Sequence, residues 1–281
     1  MPARTPARQT LITVAPTGAE TSKADCPQLP TTLPELVETA QHCERAGAAM
    51  VHVHIRDADH RPTLDLGRLK ETVASLRAET TLVVQLSTGG AVTDPLEDRL
   101  RVLDAAPDSC SLTMGTVNFG DDVFMNPWGF VTELYQLTQE RQVVPEFELF
   151  DLGQVSALGR LLHKHGVPYG GRVHADLVMG VPGGMPGTAD ALVAAVSALP
   201  EAVTSWSATG VGRTTLAVAL AALSKGGHLR VGMEDVLTIA KGQPVQHNAE
   251  LVERAAQLAT IAQRPPMSTD EARDLLQVRA A

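Results

Sequence analysis

The chain has 281 residues, 44% hydrophobic and 20% charged, enough apolar character to bury a sizeable core and too much for a disordered or collagen-like chain. A formal net charge of −9 removes any general attraction for nucleic acid or an anionic membrane, and 3% aromatic residues leave no base-stacking platform or membrane belt. Three cysteines, Cys26, Cys43 and Cys110, show no CxxC spacing, so neither a disulfide framework nor a cysteine zinc site is expected, and a reducing cytoplasm fits. The basic N-terminus MPARTPARQT has no apolar stretch behind it, and the run TTLAVALAALS is too short to cross a bilayer. An unexported cytoplasmic protein is the expectation.

In chain order, short β-branched or apolar runs alternate with helical patterns. Strands are predicted at 11–16, 50–55, 81–86, 110–114, 144–149, 172–178, 203–208 and 228–233. The first helix starts on a capping-box pattern, Thr32 with Glu35, and runs to Gly47. Further helices are predicted at 66–77, from Asp94 onward, and at 130–141, 154–165, 188–199, 213–223 and 248–263, with an extra one at 268–277. Strand–helix alternation implies parallel strands with right-handed crossovers. Eight such units with no composition break predict one α/β domain over 1–281, a (β/α)8 TIM barrel, with 1–9 a flexible lead and 264–281 carrying the extra helix. A doubly wound sheet is the alternative, but Gly210 and Gly212 in TGVGRTT match neither GxGxxG nor a Walker loop.

A barrel places its active site where strands end, so polar residues there carry information. His52 and His54 stand two apart on a strand, which points both imidazoles one way while Val51 and Val53 point the other. Two imidazoles at a barrel mouth suit a divalent metal, against the plainer alternative of two hydrogen-bonded core histidines. Glu234 follows the eighth strand, which closes beside the first two, and is the candidate third ligand; otherwise it is a solvated loop carboxylate. Arg230 shares the inward face with Glu234, and Asp235 follows, a trio that read alone is equally a structural ion pair. Ser87, Thr88, Gly89 and Gly90 end strand three with donors for a carboxylate, and Ser111, Thr116 and Asn118 offer similar donors on and after strand four. Glu146 and Glu148 share one face of strand five, where an unpaired carboxylate is costly, so at least one faces ligand, water or a cation. His174 and Asp176 repeat that pattern on strand six as candidate supports for the site.

Seven segments in order, TGAE (17–20), AGAAMVHVHIRD (46–57), QLSTGGAV (85–92), GTVNFG (115–120), PEFELFD (145–151), GVGR (210–213) and GGHLRVGMED (226–235), resemble the β-keto acid cleavage enzymes along almost the whole chain. The resemblance implies a zinc-dependent barrel, another divalent metal being the alternative, that turns a β-keto acid and acetyl-CoA into acetoacetate and a new CoA thioester. It implies His52, His54 and Glu234 as metal ligands, Asp235 as the base for the C2 proton, and Arg230 as its orienting partner. Ser87 and Ser111 match hydroxyls that hold the substrate carboxylate, the second being threonine in the family member compared. Glu20 and Glu146 match acids at the side-chain end of the pocket, which implies a cationic substrate such as 3-keto-5-aminohexanoate or a trimethylammonium keto acid. Val236 stands where the family has asparagine and Leu86 where it has proline, which alters the pocket's shape without removing a ligand or base. CoA phosphates need cations on the rim, for which Arg213, Lys225 and His228 are candidates by position only, and a homotetramer is implied by likeness.

An HxH metallohydrolase is the competing enzyme class, disfavoured because that architecture places its HxH on the first strand. A lyase that needs no acetyl-CoA lies closer in chemistry, and a non-catalytic metal-binding barrel is the third reading.

Overall fold

The structure, a computed structural model, describes residues 8–278, so the predicted flexible lead over 1–9 falls mostly outside the described residues. Among these, eight parallel strands close a barrel: β1 (Ile12–Val14), β2 (Met50–Val53), β3 (Val83–Leu86), β4 (Ser109–Thr113), β5 (Val144–Leu149), β6 (His174–Met179), β7 (Ser205–Gly210) and β8 (His228–Val231). Each pairs with its chain neighbour, and β8 pairs with β1 through Ile12 with Leu229 and Val14 with Val231. The connecting helices are α1 (Leu33–Ala46), α2 (Leu66–Glu79), α3 (Leu96–Arg101), α4 (Trp128–Arg141), α5 (Leu152–His165), α6 (Ala189–Ala198), α7 (Thr215–Ser224) and α8 (Asn248–Ile261), with α9 (Thr269–Leu276) last.

Local chemistry fixes these elements. Thr32 and Glu35 close the expected capping box on α1, and Gly47, at φ 110°, ends the helix in a left-handed cap that a side chain would strain. Asp94 does not open α3: it folds back to accept the Ala91 amide at 2.7 Å, and Pro95 takes the cap position. Three two-stranded hairpins escaped the sequence reading: Ile55–Arg56 with Pro62–Thr63, Val117–Phe119 with Asp122–Phe124, and Thr238–Ala240 with Gln243–Pro244. Their strands are too short to show a period.

Outward strand residues such as Val51, Val84 and Leu112 pack on the helices as the main core. A second apolar cluster, with Leu11, Met50, Val83 and Val144 against Met267, Ala272 and Leu276, lets α9 plug the barrel's N-terminal end. The third sits at the other end, where Phe124, Phe150, Val178 and Val181 pack around the Val117–Phe119 hairpin. Barrel interiors are usually filled by branched aliphatics, whereas here Thr13, His52, Gln85, Glu146, His174 and Arg230 are buried. Such an interior is stable only as a hydrogen-bonded network.

Candidate active site

At the C-terminal mouth, the strand ends enclose a cavity lined on one side by Glu20, His52, His54, Ser87, Arg230 and Glu234, and on the other by Val92, Phe119, Phe124, Phe150, Val181 and Val211. Glu148, Gly90 and Asp235 also line it. One flank is therefore charged and the other apolar.

The alternation of β2 delivers His52 and the residue just past its end, His54, to the same side, where the ring centroids lie 5.3 Å apart. Glu234, in the turn after β8, brings Oε1 to 3.7 Å from Nε2 of each ring. One donor atom from each of the three residues lies within 4.8 Å of the others, a spacing one divalent ion can bridge. Among the described residues Glu234 Oε2 is buried without a hydrogen-bond partner, as is Glu146 Oε2 below it. Burial, with Arg230 adding, pushes His52 down to about 4, and burial likewise pushes His54 down, so both imidazoles are neutral and in the form that ligates. The donor set fits a divalent metal by chemistry, geometry and the orphaned oxygen together.

His52 is held from behind. Its Nδ1 donates to Gln85 Oε1 at 2.6 Å, and the Gln85 amide donates to Ser109 Oγ at 3.1 Å and to Glu146 Oε1 at 3.3 Å. The carboxylate of Glu146 forces the amide's NH2 toward itself, so the oxygen faces His52 and the Nε2 lone pair is left free toward the cavity. Glu146 Oε2 lies 3.2 Å from His174 Nε2, and that ring contacts Ser205 Oγ at 2.7 Å and Ser207 Oγ at 3.0 Å.

Arg230 is the hub of the charged flank. It donates to Glu148 Oε1 at 3.1 Å, to both oxygens of Asp235 at 3.1 and 3.2 Å, and to Glu234 Oε1. One guanidinium thus faces three carboxylates out of water, an excess of negative charge that a divalent cation would offset. Burial pushes Asp235 up to about 7, Glu234 adding to the rise while Arg230 opposes it. Burial also raises Glu148, against the pull of Arg230. For Glu234, burial is outweighed by Arg230, whose charge and hydrogen bond hold the carboxyl well below its usual range.

Not every expected residue reaches the cavity. Glu146 is a buried member of the Gln85 network, while Glu148, two residues on, lines the cavity. Ser111 is buried, its carbonyl accepting from the Thr88 hydroxyl at 2.7 Å. Thr116 accepts the Asn126 amide at 2.9 Å, and Asn118 is exposed on the hairpin; neither lines the cavity. Two rim cations are corrected. Lys225 caps the C-terminal end of α7, at the face opposite the mouth, and His228 starts β8 at that face, its buried Nδ1 accepting the Leu11 amide at 3.0 Å. The helix and strand run in opposite directions, which puts both residues at the bottom. Arg213 does stand at the mouth, after β7. Gln85 and the apolar flank were missed: an uncharged glutamine within a strand carries no sequence signal, and the flank is assembled from separate loops.

Fold and site together define a barrel enzyme with its chemistry at the C-terminal mouth. Residues 9–278 match the beta-keto acid cleavage enzyme family, and the chain belongs to it. It is 36% identical over 268 residues, 95% of this chain and 97% of the relative, to the 3-keto-5-aminohexanoate cleavage enzyme of Acetoanaerobium sticklandii. It is 33% identical over 271 residues, 95% of this chain and 94% of the relative, to the 3-oxoadipate:acetyl-CoA acetyltransferase of Cupriavidus necator. Among solved structures, apo ObcA superimposes with a TM-score of 0.76 at 20% identity over 90% of this chain and 66% of that one, a likeness of fold. None of the helices in the described residues is long and apolar enough to cross a membrane.

Proposed function

We propose that this enzyme converts a β-keto acid and acetyl-CoA into acetoacetate and a new acyl-CoA, with a divalent ion, zinc by the preference of a His–His–carboxylate set, held by His52, His54 and Glu234. The observation that carries this reading is the convergence of those three donors beside a buried acid, Asp235, that Arg230 holds in place through both its oxygens. Bound there, the ion supplies Lewis-acid polarisation of the keto and carboxylate oxygens. Ser87 Oγ accepts the Gly89 amide at 3.1 Å, which leaves its O–H to donate to the substrate carboxylate, with Gly90 beside it. Asp235, oriented by two hydrogen bonds from Arg230, removes the C2 proton. The carbanion attacks the thioester carbonyl and expels CoA thiolate, which adds to the keto carbon. The C2–C3 bond then breaks, giving the acyl-CoA, and Asp235 returns its proton to acetoacetate.

Glu20 supports a cationic substrate. It lines the cavity at the rim, burial and neighbouring Asp122 raise its pKa, and the adjacent cation, Arg56, is tied to the Gly18 and Thr21 carbonyls at 2.7 Å each. The two relatives above are named for an amino-bearing and a dicarboxylic keto acid, so the charge at the end away from the reacting carboxylate is the property that varies. A homotetramer fits the exposed Leu216 and Leu220 on α7.

The test incubates purified protein with acetyl-CoA and cationic, neutral and anionic β-keto acids, assaying acetoacetate with and without a chelator. Acetoacetate that needs acetyl-CoA, is lost on chelation and forms fastest from a cationic acid is expected. Cleavage without acetyl-CoA would replace this reading with a lyase, and full metal occupancy in His52→Ala would overturn the ligand assignment.

A further inference from the structure

A second cavity, of about 520 Å³, opens beside the first between loop 180–188, which follows β6, and the start of α7. Val181 and Val211 line both cavities, so the two are neighbours that share a wall. Among the residues lining this groove there is no acid, and Arg213 is its one charged side chain, with Thr188 and Thr214 adding hydroxyls. In a chain of net charge −9, an acid-free groove with a single cation is a distinct electrostatic environment. Arg213 is exposed and, among the described residues, forms no ion pair.

The groove is built rigidly. A Cβ at Gly187 would meet the Thr214 side chain at 2.3 Å, and one at Gly183, already at φ 103°, would meet the Asn118 carbonyl at 2.2 Å. Met185 donates to the Phe150 carbonyl at 2.7 Å, and Gly180 donates to the Met185 carbonyl at 2.8 Å. Loop 180–188 is thereby fixed against both α7 and the hairpin carrying Phe119.

We infer that this groove is the seat of the phosphate-bearing arm of the acyl-CoA thioester, with Arg213 pairing a phosphate and the arm turning into the reaction cavity between Val181 and Val211. The inference rests on the proposal that a CoA thioester is the co-substrate. A long anionic ligand must lie outside a reaction cavity whose charged flank is already carboxylate-rich, and barrels commonly hold phosphates in the loops after strands seven and eight.

Steady-state kinetics of wild type, Arg213→Ala, Arg213→Glu and Lys225→Ala test it, with acetyl-CoA and with the S-acetyl thioester of pantetheine, which lacks the phosphates. KM for acetyl-CoA is expected to rise about tenfold in Arg213→Ala and further in Arg213→Glu, in line with the loss of a charge-assisted hydrogen bond. KM for the keto acid, KM for acetyl-pantetheine and the Lys225→Ala protein should stay at wild-type values. An unchanged KM for acetyl-CoA in Arg213→Glu, or an equal rise for acetyl-pantetheine, overturns the assignment. Absence of any acetyl-CoA turnover in wild type defeats the proposed reaction instead. Calorimetric titration of free CoA then decides the groove alone: binding that weakens in Arg213→Glu supports it, and equal or absent binding refutes it.

Discussion

Two polar storeys occupy the interior of this barrel, and they differ in what their side chains face. In the lower one, Gln85, Ser109, Glu146, His174, Ser205 and Ser207 meet one another. In the upper one, His52, His54 and Glu234 present donors to a cavity, and Arg230 is shared among three carboxylates. Buried polar groups that satisfy one another rigidify a core, whereas groups left open cost stability and persist where a ligand completes them. The contrast assigns support to one storey and chemistry to the other.

The sharpest way to break that contrast is Asp235→Asn. Turnover should fall about a thousandfold, the scale of a lost general base, while the thermal melt holds or rises because one buried negative charge is gone. A parallel fall in melting temperature would mean that Asp235 is structural. Glu146→Ala should behave oppositely: stability in urea drops by about 3 kcal/mol as the Gln85 amide and the His174 ring lose their acceptor, with kcat changed only modestly. A large kcat loss at unchanged stability would move Glu146 to the upper storey. Gln85→Leu probes the link between the two, and metal affinity measured by chelator competition should weaken about 10- to 100-fold, with keto-acid affinity following the metal. Outside both storeys, Thr32→Ala removes the α1 cap and should cost about 1 kcal/mol in urea without moving metal affinity.

Acid gives a still smaller effect at the same cap. Slight burial pushes Glu35 up, but Lys23 and the amides of Thr31 and Thr32 outweigh it and hold the carboxyl at about 2. A depressed folded-state pKa contributes stability that is present above the ordinary carboxylate value near 4.5 and is lost as pH falls toward 2. Solvent screening at this half-exposed side chain reduces that contribution to a few tenths of a kcal/mol. Glu35→Gln should flatten the acid limb of the stability curve by that amount.

The barrel was legible because eight strand–helix alternations leave few topologies, and His52 and His54 were legible because a period of two dictates a common face. Parity does not dictate depth. Glu146 and Glu148 both point inward, and only the register of β5 against β4 and β6, Glu146 beside Ser111 and His174, puts the first below the cavity and the second in it. Asn118 failed for a related reason: its segment bends into a hairpin that turns the side chain to solvent while Phe119 and Phe124 join the apolar flank. Lys225 and His228 lie close in sequence to Arg230 but enter from the other end of the molecule.

The plug formed by α9 makes the barrel a well with one doorway. With its floor sealed, such a well admits and releases every reactant through the mouth where His52, His54 and Glu234 stand, so a large thioester lying across that opening would hold a smaller acid beneath it.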